Sequence, residues 1–194
     1  MIYQAAIDED FPLAHQDEAA LLRRHDPAAL AAMVGRYQHR LYRYLLRLVH
    51  QPSAADDLFQ QTWLHVVRDI RRYDARRSFD TWLFTIAHNA AMDLLRRRTG
   101  ESLEDRESNM PADEPGALAA ILTEERAAIL AAEMAALPAL YREALTLRFE
   151  EGMKLEEIAE VAGAPLSTIK SRVQRGLECL RRQLAARWRK EDLL

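Results

Sequence analysis

The chain has 194 residues, 49% of them hydrophobic and 29% charged, with a formal net charge of −3 at neutral pH. This length sets one or two domains and suffices to bury real cores, and the composition excludes a disordered chain. Glycine and proline are few, six and seven, and β-type alternation is absent, so the fold class expected is all-α. No apolar run is long enough to span a bilayer, and no signal peptide is recognised. The single Cys179 has no internal partner, so a buried thiol in a reducing cytoplasm is the consistent reading. The small net charge conceals segregation. From Arg68 to Arg98 eight arginines face four aspartates, while acids concentrate near the N-terminus and between Glu101 and Glu114. Local sign of this kind steers partners more than the total does.

In chain order, residues 1–25 are acidic and weakly patterned, and read as a tail or short flanking helix. Asp26-Pro27 is a helix start, with Asp as N-cap and Pro at the first helical position. The spacing predicts a helix to about Val49, with Leu30, Val34, Tyr37, Leu41, Leu45 and Leu48 as one apolar stripe that belongs to the core. Gln51-Pro52-Ser53 ends it. A second helix, from Ser53 or Asp56 to about Arg72, turns Leu58, Thr62, Val66 and Ile70 inward, flanked by Phe59, Trp63 and Val67. After the polar stretch Tyr73 to Ser78, a third helix from about Phe79 to Arg98 buries Trp82, Leu83, Ile86, Ala90 and Leu94. Its terminal Arg96, Arg97 and Arg98 suit the negative end of the helix dipole.

From Thr99 to Gly116 the composition turns to Glu, Asp, Ser, Asn, Pro and Gly, a flexible acidic linker. A helix resumes near Leu118 and runs to about Ala136. Another, begun by Pro138, covers Ala139 to Glu150 with Leu140, Ala144, Leu147 and Arg148. Then Leu155, Ile158, Ala159 and Ala162 share one face of a short helix, Gly163 breaks it, Pro165 sets a turn, and Leu166 or Ser167 opens a longer helix. The inner face expected for that helix is Ile169, Val173, Leu177, Leu180 and Leu184. The organisation is therefore two small helical bundles joined by the linker: residues 26–98 and 118–194 on either side of 99–117.

The last helix pair has helix-turn-helix form. Its second helix presents Thr168, Ser171 and Arg175, with Arg172 and Gln174 beside them and Lys170 nearer the apolar edge. Small hydroxyls let a helix sink into a major groove, and cations pair with phosphates or guanine edges. An ordinary helical hairpin with a solvated charged face has the same pattern. In the first bundle, Arg71, Arg72, Tyr73, Arg76, Arg77, Phe79, Trp82, Asn89 and Arg96 interleave cations with aromatics, which suits single-stranded nucleic acid, where stacking on a ring contributes ~1–3 kcal/mol per base. A core Trp and Phe under a charged surface accounts for the same residues. Asp56, Asp57, Gln60 and Gln61 share an exposed face of the second helix, and on the residues alone a solvated helix start explains them. The six histidines form no metal box, and no phosphate loop, dinucleotide fingerprint or nucleophile elbow occurs, so neither a cofactor nor an enzyme is expected.

At Asp57 to Val66 (DLFQQTWLHV), Phe79 to Arg98 (FDTWLFTIAHNAAMDLLRRR) and Leu137 to Leu184, the chain resembles an extracytoplasmic-function (group IV) RNA polymerase sigma factor of the sigma-70 family. The similarity covers nearly all of Asp26 to Leu184, with its motifs in the family's order. The resemblance implies that the first bundle is sigma region 2 and the second is sigma region 4. It implies that Asp56, Asp57, Gln60, Gln61 and Thr62 dock on the β′ clamp helices of core RNA polymerase, with the β flap a further polymerase partner. It places Tyr73, Arg76, Arg77, Phe79, Asn89, Arg96 and Arg97 on melted −10 promoter DNA, and Thr168, Lys170, Ser171, Arg172, Gln174 and Arg175 on the −35 duplex. The family usually has Glu where Gln61 stands, and often Gly where Asp74-Ala75-Arg76 stands. An anti-sigma partner that silences the factor is implied by the resemblance alone. Two other readings remain in view, a free-standing operator-binding regulator and a helical adaptor that binds only protein.

Overall fold

The computed structural model describes residues 24, 26–74, 78–99 and 124–191. The expected N-terminal segment and acidic linker fall outside the described residues, apart from Arg24 and Thr99. Seven α-helices are present among the described residues: α1 Pro27–Val49, α2 Pro52–Asp69, α3 Phe79–Thr99, α4 Glu124–Ala136, α5 Ala139–Leu145, α6 Leu155–Ala162 and α7 Leu166–Glu191. A 3₁₀ turn, Ile70–Arg72, extends α2, and a π-helical turn, Thr146–Glu150, extends α5.

The start of α1 follows from its first two residues. Asp26 is extended, and its carboxylate accepts a hydrogen bond from the Ala29 amide at 2.8 Å. Pro27 fills a position where the amide would have no helical acceptor. The helix stops at His50, whose φ of 54° is left-handed and whose N–H returns to the Leu46 carbonyl at 2.9 Å. Pro52 is the first residue of α2 as well as the end of the preceding turn. The sequence reading placed that start one to four residues later, because proline stops one helix and begins another by the same property.

α1, α2 and α3 form the first bundle. Tyr37, Leu41, Leu45 and Leu48 of the expected stripe are buried, joined by Met33 and Tyr44, while Leu30 and Val34 pack partly buried against them. Burying a leucine side chain fully contributes about 1.5–3 kcal/mol before entropy is counted. α3 is buried on more than the face its stripe indicates. Leu83 is in the core, but so are Phe84, Ala87, His88, Ala91 and Met92, whereas Trp82, Ile86, Ala90 and Leu94 are only partly buried. The physical reason is a second layer: α6 and the turn after it cover the side of α3 turned away from α2.

α4 to α7 form the second bundle. Its own core is Met134, Leu137, Leu145, Cys179, Leu180 and Leu184. Burial pushes the Cys179 thiol above its ordinary pKa, which makes it a packing residue. The expected inner face of α7 needs one correction. Leu177 is 40% exposed, and Gly176 takes the inward place, with Leu145 and the Tyr141 Cβ lying 3.2 to 3.4 Å from where a Cβ on Gly176 would be. Lacking that Cβ, α7 closes on α5 and rotates Leu177 to the rim. The expected continuous helix from Ala139 to Glu150 is also interrupted, since its last turn widens to π geometry.

The two bundles pack on one another. One continuous apolar cluster includes Leu45, Phe84 and Met92 of the first with Leu140, Leu147, Ile158 and Ile169 of the second. Polar groups cross the same seam. Glu143 of α5, 2% exposed, accepts hydrogen bonds from the Tyr44 hydroxyl of α1 at 2.5 Å and meets Nδ1 of His88 of α3 at 2.6 Å. Arg142, 5% exposed, donates to the carbonyls of Leu48 across the seam at 2.9 Å and of Ala135 and Leu137 in its own bundle at 2.9 and 2.7 Å. These are helix-end carbonyls that lack helical partners, so a cation serves as their shared cap. Burial draws the Arg142 guanidinium down to about 10. Along α1, Arg40, Arg43 and Arg47 face the Glu150-Glu151 pair. Arg40 Nε lies 2.8 Å from Glu151, and its other arm lies 2.8 Å from Asp80 of α3.

Arg142→Ala is expected to lower stability by about 3 kcal/mol, because several buried carbonyls lose their donor at ~1–3 kcal/mol each. Urea denaturation followed by circular dichroism measures it, and a loss below 1 kcal/mol would contradict the capping role.

Candidate nucleic-acid interface

Three surfaces carry the residues singled out from sequence. On α2, Asp56, Asp57, Gln60 and Gln61 are all exposed. Ala54, Ala55 and Leu58, interleaved with them, hold the opposite face of the helix in the core. Thr62 departs from this group. It is fully buried, and its hydroxyl donates to the Leu58 carbonyl one turn back at 2.7 Å. Its helical phase is that of the inward stripe, so it supports the face from below. Sequence reasoning missed Leu64, which is 68% exposed and one turn beyond Gln60 and Gln61. An apolar residue that breaks the core period and sits among amides and acids is the available signal.

The second surface is the 3₁₀ turn and α3. Arg71 and Arg72 are exposed. Asp69 stands between Arg68 at 2.9 Å and Arg72 at 3.6 Å, and the hydrogen bond from Arg68 holds its carboxyl below the usual range. Tyr73 and Phe79 are each 4% exposed, which corrects the picture of rings displayed for stacking. They belong to an aromatic cluster in which Tyr73 lies 5.5 Å edge-on to Phe79 and 4.9 Å from Trp82, while Phe79 packs at 5.3 Å on Tyr37. Apolar area and edge-to-face attraction favour this packing over exposure to water. The cluster braces the start of α3. Arg76 and Arg77 lie outside the described residues. The Tyr37 hydroxyl hydrogen-bonds Asp80, and burial followed by that charge holds the Tyr37 phenol far above its ordinary pKa.

Farther along α3, Asn89 is exposed, one residue from the buried His88. Arg96, Arg97 and Arg98 are exposed at the helix end. Arg96 pairs with Asp93 at 3.3 Å, Arg97 donates to the Asp93 carbonyl at 3.1 Å, and Arg98 donates to Gln51 at 2.9 Å. Exposed pairs of this kind contribute little to stability, so the cations are free to exchange partners.

The third surface is α7. Gly163, at φ 58° and ψ 30°, ends α6, and the Ala164 amide returns to the Ala159 carbonyl at 3.1 Å. This left-handed stop fixes the angle between the two helices and suits a residue with no Cβ. Glu157 accepts from the Lys154 amide at 2.7 Å and secures the other end of α6. On α7, Lys170 and Gln174 are exposed, Ser171 and Arg175 are partly buried, and Thr168 is partly buried. Gln174 donates to Glu178 at 3.0 Å, and the Ser171 hydroxyl donates to the Thr168 carbonyl at 2.8 Å. Arg172 is 5% exposed, a correction to its placement on an open reading face. It lines the seam with the first bundle, together with Thr168. Among the described residues no cluster of His, Cys, Asp and Glu is arranged to hold a metal ion, and no helix is long and apolar enough to cross a membrane.

Comparison with known proteins places these surfaces in a family. Residues 33–101 match Sigma-70 region 2, and residues 124–180 match Sigma-70, region 4. The chain is 28% identical over 173 residues to the ECF RNA polymerase sigma factor SigW of Bacillus subtilis, covering 84% of this chain and 92% of that protein. It is 33% identical over 178 residues to SigK of Mycobacterium tuberculosis (88% and 95% covered), and 31% identical over 173 residues to the RNA polymerase sigma-H factor of Pseudomonas aeruginosa (84% and 90%). In fold it is similar to CnrH, solved in complex with the cytosolic domain of CnrY, with a TM-score of 0.66 at 24% identity over 89% of this chain and 98% of that one. It is also similar to the sigma factor RpoE of Bartonella quintana, solved in complex with the anti-sigma factor NepR, with a TM-score of 0.62 at 24% identity over 80% and 96%. With relatives above 30% identity matched over nine-tenths of their length, the chain belongs to the ECF RNA polymerase sigma factors.

Proposed function

We propose that this sigma factor recruits core RNA polymerase through α2 and gives it two promoter readers of different kind. The observation that carries the reading is the chemical division between its surfaces: an acid and amide face with one exposed leucine on α2, and cation-bearing faces on α3 and α7. Asp56, Asp57, Gln60, Gln61 and Leu64 form the docking face for the β′ clamp helices, with Thr62 holding the helix in place beneath it. The second bundle also meets the β flap. Lys170, Ser171, Gln174 and Arg175, with Thr168 and Arg172 once uncovered, read the −35 duplex. Asn89, Arg96 and Arg97 meet the melted −10 strand together with Arg76 and Arg77, above the aromatic base of Tyr73 and Phe79.

The mechanism follows from what each surface can bind. Pulling a base from the stack costs a few kcal/mol. A region 2 surface that accepts an unpaired non-template base stabilises only the opened duplex, so recognition of the −10 element and its melting become one event. Duplex contacts by α7 set the register at the −35 element, with phosphates positioning the helix and base edges supplying specificity. The factor makes and breaks no bond in this account: selection is by binding, and polymerase supplies the chemistry. It acts in the cytoplasm, where polymerase meets the chromosome. An anti-sigma protein is proposed as its inhibitor, since the similar Bartonella factor was solved bound to the anti-sigma factor NepR. The acidic segment 99–117 is proposed as the link between the readers.

Adding the purified chain to core polymerase and mapping transcript 5′ ends over genomic DNA tests the whole reading. Initiation at a defined set of starts is expected, and none at all would overturn it. Three substitutions separate the surfaces. Leu64→Ser is expected to weaken core polymerase binding by at least tenfold with no change in stability, because the side chain is already in water. Arg175→Ala is expected to weaken holoenzyme binding to the −35 duplex by about 1–3 kcal/mol and relax selectivity there. Asn89→Ala is expected to reduce permanganate reactivity of the opened −10 region more than initial duplex binding, and an equal loss at both steps would contradict its role.

A further inference from the structure

α1 and α4 leave a cationic groove between them. Arg43, Arg47 and His50 of α1 line one side of a cavity of about 350 Å³, and Ala131 and Ala135 of α4 line the other. Leu46 and Pro52 add apolar surface. Arg142 fixes the spacing of the two walls, because its guanidinium donates to the Leu48 carbonyl of α1 and to the Ala135 carbonyl of α4, each at 2.9 Å. The groove is positive. The Glu150 carboxylate reaches Arg47 at 3.3 Å and Arg43 at 3.8 Å, so two guanidiniums share it, with Arg142 behind them. Burial first, then the charges of Arg142 and Arg47, hold the His50 imidazole below its ordinary pKa, which registers the same field. The Arg43 side chain is 53% exposed and that of Arg47 31%, so both can meet a further anion.

Both ends of the segment 100–123, which lies outside the described residues, come to this groove. α3 ends at Thr99, and the preceding Arg98 donates at 2.9 Å to Gln51, the residue between His50 and Pro52 of the groove. α4 starts at Glu124, two turns before Ala131, or about 10 Å along the helix. The segment has 24 residues, and a chain of that length can span about 80 Å. It therefore has length to spare for lying along the groove. Its charge is of the opposite sign: Glu101, Glu104, Asp105, Glu107, Asp113 and Glu114 stand against Arg106 alone. An exposed ion pair contributes only up to about 1 kcal/mol. Tethering at both ends holds these carboxylates near the cations at millimolar effective concentration, so that several such pairs suffice.

We propose that the acidic stretch 101–107 docks in the groove between α1 and α4, with its carboxylates on Arg43 and Arg47 and beside His50, and Leu103 on the apolar surface of Leu46, Ala131 and Ala135. The chain thereby covers the cations of this groove with its own anions and denies them to other polyanions. Charge and chain connectivity carry the inference, which does not depend on the sigma-factor reading above.

Limited trypsin digestion of the full chain tests it, because Arg106 is a trypsin site inside the docked stretch. Ala135→Glu puts a like charge into the groove and Ala135→Lys an opposite one, at an exposed helical position where both are good helix formers. Cleavage after Arg106, followed by mass spectrometry, is expected to be about threefold faster in the Glu variant and about threefold slower in the Lys variant. Equal rates in the three chains would overturn the docking. So would a shift in the same direction for both, which marks a change in α4 itself. A second measurement leaves every described residue as it is. Glu101→Gln, Glu104→Gln, Asp105→Asn and Glu107→Gln together remove four carboxylates from the groove. A carboxylate beside an imidazole favours its protonated form, so the His50 pKa, followed by NMR, is expected to fall by about half a pH unit or more in that chain. An unchanged value would overturn the proposal.

Discussion

The Glu143 carboxylate, buried and shared between Tyr44 and His88, is the constraint that the rest of the architecture depends on. A carboxyl group in a protein interior is tolerated only where protein partners replace water. Here the partners, the Tyr44 hydroxyl and His88 Nδ1, come from α1 and α3, and the carboxyl comes from α5, so the group is satisfied only when both bundles are in register. Arg142, its neighbour in sequence, caps helix-end carbonyls on both sides of the same seam. Two adjacent residues therefore fix how region 4 sits on region 2.

This register determines what each surface presents. α2 stands away from the seam and displays its acids, amides and Leu64 to solvent. α3 lies in the middle, with one side on its own bundle, another against α6 and the turn after it, and Asn89 and the terminal arginines left outward. α7 leans its Thr168 and Arg172 edge inward and leaves Lys170 and Gln174 outside. On the function proposed above, the face assigned to polymerase is fully exposed, and those assigned to DNA are only partly so.

Much of this was legible in the chain. Asp26-Pro27 and Gly163 act through backbone chemistry within a few residues, and each helix start or stop they mark is where it was expected. The stripe of α1 and the inward set Leu58, Val66 and Ile70 follow helical period, which reflects one buried face. What escaped depends on contacts distant in sequence. α3 reads as a one-sided helix because nothing in its own period announces that a second bundle covers it. Tyr73 and Phe79 read equally as stacking platforms or core, and only their packing on Tyr37 and Trp82 decides the free state. Leu177 had the right period, but Gly176 lets α7 approach α5 and turns that leucine outward. Glu143 and His88 were invisible as a pair, separated by 55 positions and on different bundles.

Reading the −35 duplex with Thr168 and Arg172, as proposed, requires the bundles that pack together in the structure to part on the promoter. Spin labels at two exposed positions on opposite sides of the seam, Gln38 in α1 and Glu160 in α6, report it directly through pulsed dipolar spectroscopy. One short, narrow distance is predicted for the free chain, and a longer one for the holoenzyme on promoter DNA. The same short distance in both states would contradict the account.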